Sequence, residues 1–223
     1  YFAVSRFFEY PEYFFQNRGS PAALPEWMSN QVDAVRLFEK LPGIGEKTAE
    51  RLAFSIMNME LKDAENFSNS ILNVKRKINK CKICGNITEE NICSICNDIN
   101  RDSTIICVVQ DPKDIISLEK TGSFIGKYHV LNGLISPMDG KGPEDISIKD
   151  LIKRIKEENT KEIILAISST LEGETTSLYI SKILETSDVL VSKIARGIPI
   201  GANMEYLDSM TLSMALINRD KVS

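Results

Sequence analysis

Histidine and tryptophan are almost missing from this sequence, and positive charge has no overall excess. The single histidine, His129, lies in a strand-like run and reads as a packing or hydrogen-bonding residue. The formal net charge is −4, so any nucleic-acid contact must come from local basic patches rather than from a globally basic surface. No stretch approaches ~18 consecutive apolar residues, the length a membrane span needs. Nothing reads as a signal peptide either: the start lacks a basic segment, and acidic residues and prolines interrupt each apolar run. Cysteine is rare outside one cluster. Cys107, the single one elsewhere, sits in the apolar run Ile105-Ile106-Cys107-Val108-Val109 and reads as a buried small hydrophobe. This usage predicts a reducing cytoplasm rather than a disulfide-built secreted domain.

What is present is an ordinary globular composition, 43% hydrophobic and 26% charged over 223 residues, enough for one or two domains by length. Four of the five cysteines fall together: Cys81 and Cys84, then Cys93 and Cys96. Two Cys-x-x-Cys pairs can close a tetrahedron of thiolates around one zinc ion, because two sulfurs of a tight turn reach the same metal. Gly85 follows the second cysteine and suits a turn that needs positive φ. Two disulfides are the rival reading, disfavoured because nothing else looks secreted. A shell of four cysteines leaves no open coordination position, so the zinc, one per chain, is expected to be structural.

Upstream, Val32, Val35, Leu37 and Phe38 recur at helical spacing as far as Leu41-Pro42. Leu41-Pro42-Gly43-Ile44-Gly45 then leads into Glu46-Lys47-Thr48-Ala49-Glu50-Arg51-Leu52-Ala53, which resembles a helix-hairpin-helix motif. Gly43 and Gly45 let the backbone turn tightly and approach a phosphate, and the next helix points its free N–H groups at the same place. Lys47 and Arg51, four apart, each add a possible phosphate contact. Such contacts read no bases, so binding is expected to be sequence-independent and salt-sensitive. Glu46 and Glu50 partly offset the two cations. Residues 64–78 continue as a helix with an apolar stripe of Phe67, Ile71, Val74 and Ile78. The cluster Lys75, Arg76, Lys77, Lys80 and Lys82 that follows is open to two readings, a solvated face or a nucleic-acid contact.

After Asp102 the pattern changes to strands alternating with helices. Strands are expected at 103–109, 128–131, 162–167 and 189–194, and helices at 112–120 (Ile115, Ile116 and Leu118 inward), 148–158 and 175–185. The fold class is therefore multidomain α/β with a mostly parallel sheet covered on both faces. Ligands in such sheets gather beyond the carboxyl ends of the strands. Gln110-Asp111 with Asp114, and Glu172-Gly173-Glu174, are expected there, with the long Gly/Pro-rich loop 132–145 close by. The tail, Arg196-Gly197-Ile198-Pro199-Ile200-Gly201 and then a helix over 209–216, is apolar on more than one face. It either packs on another subunit or closes its own domain. Residues 1–27 hold 9 of the 16 aromatic residues and 3 of the 8 prolines. They read as an extension of doubtful origin, with an aromatic arm that docks on a partner as the alternative.

The α/β segment resembles the TOPRIM domain of topoisomerases and primases, whose enzymes bind magnesium through one Glu after the first strand and an Asp-x-Asp pair after a later one. Here Gln110 stands where the first Glu is usual, and Glu172-x-Glu174 replaces the pair. The order of parts, with the stretches LPGIGEKTAERLAF, CKICGNITEENICSIC, YHVLNGLISPMDGKGPEDI, LEGETTSLYI and ARGIPIGANMEYLD, resembles the bacterial recombination mediator family RecR. Ile167-Ser168-Ser169, in place of a Thr-x-Pro-like run, is a further local departure. The resemblance implies five segments: the extension 1–27, a helix-hairpin-helix DNA-binding domain 28–79, a four-cysteine zinc finger 80–102, a TOPRIM domain 103–195 and a C-terminal oligomerisation segment 196–223.

It also implies a non-enzymatic role in recombinational DNA repair, at the nucleoid in the cytoplasm. The protein is expected to form a ring, a tetramer, on DNA. With a RecO-type partner and in some bacteria RecF, it promotes recombinase loading on gaps coated by single-strand binding protein. Zinc is the expected cofactor. Magnesium at the acidic rim is left open by Gln110, and Asp114, Glu172 and Glu174 are expected to form a partner surface or weak metal site. Two alternatives stand beside this: a magnesium-dependent TOPRIM nuclease or topoisomerase-like enzyme, and a zinc-knuckle adaptor that touches only proteins.

Overall fold

A computed structural model describes residues 26–195, 198–199 and 201–219. Most of the aromatic-rich extension, residues 1–25, lies outside the described residues, as do Arg196, Gly197 and Ile200 of the tail motif. The chain divides into two compact units, Tyr1–Leu72 and Asn73–Ser223.

In the first unit, helix α1 (Glu26–Glu39) packs on α2 (Glu46–Met57) through Val35, Ala49 and Ala53, with Ala34, Phe38 and Ile44 half-buried around them. Small residues on α2 let the two backbones approach. The linking turn is set by sequence: Pro42 and then Gly43 at φ +79°, closed by Ile44 N–H donating to the Leu41 carbonyl at 3.1 Å, is the pattern of a type II turn. Helix α3 spans Leu61–Lys77, three residues earlier than its periodicity suggested. Its apolar stripe is not inward. Phe67, Ile71 and Val74 stay 45%, 55% and 63% exposed, and no residue of α3 is buried. The amphipathic pattern is real, but among the described residues of one chain nothing covers it.

The second unit opens with the cysteine knuckles. Strands β1 (Asn79–Lys80) and β2 (Ile87–Thr88) pair antiparallel, and the one-turn helix α4 (Ser94–Asn97) follows. Then comes an all-parallel sheet of β3 (Asp102–Val109), β4 (Gly126–Val130), β5 (Glu162–Ala166) and β6 (Leu190–Lys193), in the order β4-β3-β5-β6. Alternation along β3 sends Ile106 and Val108 to one face. There they meet Leu151 and Ile155 of α6 (Ile148–Glu157) and Ile180 and Leu184 of α7 (Leu171–Leu184). Cys107 and Val109 face the other way, toward Tyr128, Val130 and Ile115 of α5 (Pro112–Glu119). Both faces are therefore covered, as continuous apolar strands require. On α5 only Ile115 is buried. Leu118 packs partly, and Ile116, expected inward, is 51% exposed. It lies about 100° round the helix from Ile115, off the packed stripe.

The knuckles lie against the open edge of β4. Val130 N–H donates to the Cys84 carbonyl at 2.7 Å, and Arg154 reaches from α6 to the Tyr128 carbonyl at 2.6 Å. Arg101 does the same for the Gly126 carbonyl at 3.1 Å. An edge that would otherwise present unpaired backbone groups is thus occupied. Gly85 makes the approach possible. It has φ +76°, and a Cβ there would sit 3.2 Å from both the Val130 carbonyl and the Asn132 amide. From the sheet side, buried Lys127 donates to the carbonyls of Ile95 (3.3 Å), Cys96 (2.8 Å) and Asp98 (2.9 Å), gathering the C-terminal end of α4.

Candidate metal centre and nucleic-acid interface

Cys81, Cys84, Cys93 and Cys96 converge: their sulfurs all lie within 4.8 Å of one another, and Cys84 and Cys93 are 3.6 Å apart. A zinc ion with four thiolates at ~2.3 Å spaces its sulfurs by about 3.8 Å, so the donor set fits. The backbone turns toward the same point. The N–H of Cys93 donates to the Cys81 sulfur (3.3 Å), that of Asn86 to Cys84 (3.5 Å) and that of Cys96 to Cys93 (3.4 Å). Such donors stabilise thiolate charge and orient the ligands. Without a cation the sulfurs cannot all ionise. The contact between Cys84 and Cys93 pushes the Cys84 thiol up and holds Cys93 down. Three of the four are buried and no position is left for substrate, so the site holds a structural zinc. Cys107 lies in the sheet core instead, where burial pushes its thiol up to about 12.

In the first unit, Lys47 and Arg51 are exposed on α2 on the side away from Ala49 and Ala53. Neither has a carboxylate partner among the described residues. Gly45 is the N-cap, extended at φ −91° and ψ 168°, and no side chain caps the helix, so its first N–H groups stay available. The two glycines differ. Gly43 needs its positive φ, whereas Gly45 does not, yet a Cβ at either meets nothing within 4 Å. The surface over the turn is open to a backbone approaching from outside.

The acidic residues do not form one site. Asp111 and Asp114 form the capping box of α5: Asp111 accepts from Lys113 N–H at 3.1 Å, and Asp114 accepts from Asp111 N–H at 3.0 Å. Glu172 and Glu174 are in the first turn of α7, which starts at Leu171, four residues earlier than expected. Two residues apart on a helix they point to different sides rather than together. Glu174 accepts from Lys193 of β6 at 2.7 Å. Gln110 directly follows β3 as expected, and its side-chain carbonyl accepts from Ser168 Oγ at 3.2 Å. Among the described residues, the cysteines form the cluster suited to a metal and these carboxylates do not. The loop after β4 is tied to α7 through Ile135 N–H and Thr176 Oγ1 at 2.9 Å, which places it beside the Glu172 turn.

His129 is 1% exposed, with Nε2 against the Ser147 carbonyl at 2.9 Å. Burial lowers its pKa to about 4, so it is neutral and structural, as its strand position suggested. The tail forms a short 3-10 turn (Met204–Tyr206) and helix α8 (Ser209–Ile217). Asp208 caps α8, accepting from Thr211 N–H at 2.9 Å. No residue of α8 is buried, and Met210 and Leu216 are 75% and 68% exposed. Sequence reasoning missed Lys127, Arg154 and Lys193. A lysine inside Gly126-Lys127-Tyr128-His129-Val130, where each neighbour is buried, was the available signal for the first.

Four family models match the chain in order. The RecR helix-hairpin-helix model covers residues 32–75, and the RecR four-cysteine zinc finger domain covers 78–98. The Toprim domain covers 104–195, and the RecR C-terminal model covers 197–219. The cysteine cluster falls inside the second match, and the parallel sheet fills the third. Among the described residues, no helix is long and apolar enough to cross a membrane.

Proposed function

The chain belongs to the RecR family, a family of recombination mediators in DNA repair, and from that premise we propose that it acts without catalysis as an oligomeric clamp on DNA. With a RecO-type partner, and RecF where present, it promotes recombinase loading on gaps coated by single-strand binding protein. Residues 28–79 supply DNA contact, 80–102 the zinc knuckle, 103–195 the central platform and 196–223 subunit contact, in a ring of four.

The observation that carries the DNA reading is the exposed pair Lys47 and Arg51 beside the uncapped start of α2 and the open face over Gly43 and Gly45. These groups meet phosphates, not base edges, so affinity is independent of sequence and falls with salt. Glu46 and Glu50 keep the contribution of one subunit modest. Several subunits on one DNA multiply it. Subunit contact draws on α8, where Met210, Leu216 and Ile217 are exposed.

Absence of catalysis rests on chemistry. Gln110 cannot serve as a general base and neutralises no metal charge. Glu174 is held by Lys193, and the Asp111–Asp114 pair serves a helix cap. Glu172 is left as a rim for a basic partner protein.

The test is the double change of Lys47→Gln and Arg51→Gln, with duplex and gapped-DNA binding measured at two salt concentrations and circular dichroism as the folding control. Lost binding in a folded protein supports the reading, and retained binding refutes it. Magnesium-dependent cleavage that vanishes in Glu172→Gln would establish the nuclease alternative instead.

A further inference from the structure

From Asn66 to Thr88 the sequence contains no carboxylate and five cations, Lys75, Arg76, Lys77, Lys80 and Lys82, in a chain that otherwise carries 31 acidic residues. The last two flank the zinc ligand Cys81 and are exposed. Both line one cavity of about 510 Å³. Its floor is Cys81, Gly85 and Val130, and its far wall is α6, with Asp150, Lys153, Arg154, Glu157 and Glu158.

Charge within this cavity is not evenly spent. On α6 the acidic groups are answered locally. Arg154 Nε holds Glu158 at 3.0 Å, and Lys153 stands 3.8 Å from Glu157. Lys80 and Lys82 have no carboxylate within 4 Å among the described residues; Asp150 opposes them in this cavity, and Glu89 and Glu90 share a neighbouring cavity of about 720 Å³ with both. The backbone that carries the two lysines is fixed: Lys82 N–H donates to the Asn91 carbonyl at 3.0 Å and Cys81 N–H to the Asn86 carbonyl at 2.7 Å.

We infer that Lys80 and Lys82 form a second nucleic-acid contact that takes the phosphodiester backbone of an unpaired strand. This rests on the proposal that the protein binds DNA. The cavity volume is that of a small-ligand cleft, which a flexible strand can enter and a rigid duplex cannot. No aromatic side chain other than the buried His129 lines it, so no stacking platform is present and the contact works by charge, without base preference. Lys75, Arg76 and Lys77 in the last turn of α3 lead the basic run up to it. The same run would also suit an acidic peptide. The strand is favoured because the lysines extend a run of five cations that no carboxylate interrupts, which suits a chain of successive phosphates.

The experiment compares wild-type protein with Lys80→Gln/Lys82→Gln, using oligo-dT and a duplex of equal length across a series of salt concentrations. Lys113→Gln/Lys120→Gln, two exposed lysines at α5, is the control for net charge, and zinc content is the control for folding. Each lost contact to a single strand removes about 0.7 from the logarithmic salt slope, so the double variant loses about 1.4 on oligo-dT. The duplex slope is expected to change less, and the control variant not at all. An unchanged oligo-dT slope in a zinc-loaded variant overturns the inference while leaving the clamp intact. Wild-type protein that binds neither DNA overturns the clamp itself. A variant that keeps oligo-dT affinity and loses affinity for a polyglutamate peptide overturns the inference in favour of an acidic protein partner.

Discussion

Lys127 is the residue whose removal tests the account of how the zinc knuckle is fixed to the sheet. It is 8% exposed and donates to three carbonyls, two of them at 2.8 and 2.9 Å and the third at 3.3 Å. Lys127→Met keeps the length and the apolar stem but leaves three acceptors without a donor. Each charged hydrogen bond contributes ~1.5–3 kcal/mol, and an acceptor stranded by loss of its partner costs ~1–3 kcal/mol. The Ile95, Cys96 and Asp98 backbone is only half-buried, so water recovers part of this. The ammonium also no longer has to be desolvated, which offsets several kcal/mol of the gain from the bonds. Weighing the two, the expected loss is about 2–4 kcal/mol, located at the knuckle. Urea denaturation followed by far-ultraviolet circular dichroism reads the global part. The rate at which a coloured chelator extracts zinc reads the local part, and it should rise. Lys127→Arg, which keeps the charge, should restore most of the slow extraction. A Lys127→Met protein with wild-type stability and wild-type zinc retention would show that desolvation cancels the three bonds and that the knuckle is held by zinc and Cys84 alone.

Chelation of zinc is expected to unmask the β4 edge, because Cys84 is both a ligand and the acceptor for Val130 N–H. Hydrogen exchange should then accelerate at Val130 while the β3–β5 pairing stays protected. Gly173→Ala places a Cβ 1.9 Å from the Ser168 carbonyl, a backbone clash with no flexible end to give way, and should cost about 3 kcal/mol or more in urea. His129 titrates near 4 when folded and near 6.5 when unfolded, so the unfolded chain binds the extra proton between those values. Stability therefore falls as pH drops from about 6.5 to 4, by about 3 kcal/mol at ~1.4 kcal/mol per unit. Asp150, Glu158 and Arg154 are the charged groups that face the ring. His129→Gln should show a flatter pH profile than wild type, and an equal slope would remove His129 as the cause.

Periodicity made most of the fold legible. The buried strands at 103–109 and 162–167 and the helix at 148–158 appear within a residue or so of their expected bounds, because continuous apolar runs and a 3.6-residue stripe have few other solutions. The four cysteines were equally legible, since their spacing is itself the geometry. The acidic residues were not. Asp111 and Asp114, and likewise Glu172 and Glu174, sit at helix starts, where Thr170 accepts from Gly173 N–H at 3.2 Å and first-turn acids favour the positive dipole end. Carboxylates just after a strand look the same whether they hold a metal or begin a helix. The apolar stripe on α3 was legible, but periodicity says that a face is apolar, not that the same chain covers it.

The zinc site connects these features. It binds no substrate, yet the chain on either side of its ligands does two separate things. Cys84 turns its carbonyl to the sheet edge, with Gly85 giving the clearance. Cys81 holds Lys80 and Lys82 at the mouth of the cavity beside α6. A four-cysteine centre is stiff in a way that a loop of this length with so small a core of its own is not. The same turn that closes the parallel edge therefore also fixes the backbone from which Lys80 and Lys82 project. Loss of the metal should then weaken single-strand binding and expose β4 together. A change at Lys80 and Lys82 should weaken binding with the edge still closed. Separating those two outcomes on one protein, with hydrogen exchange at Val130 beside the oligo-dT salt slope, distinguishes a knuckle that merely folds from one that also presents charge to DNA.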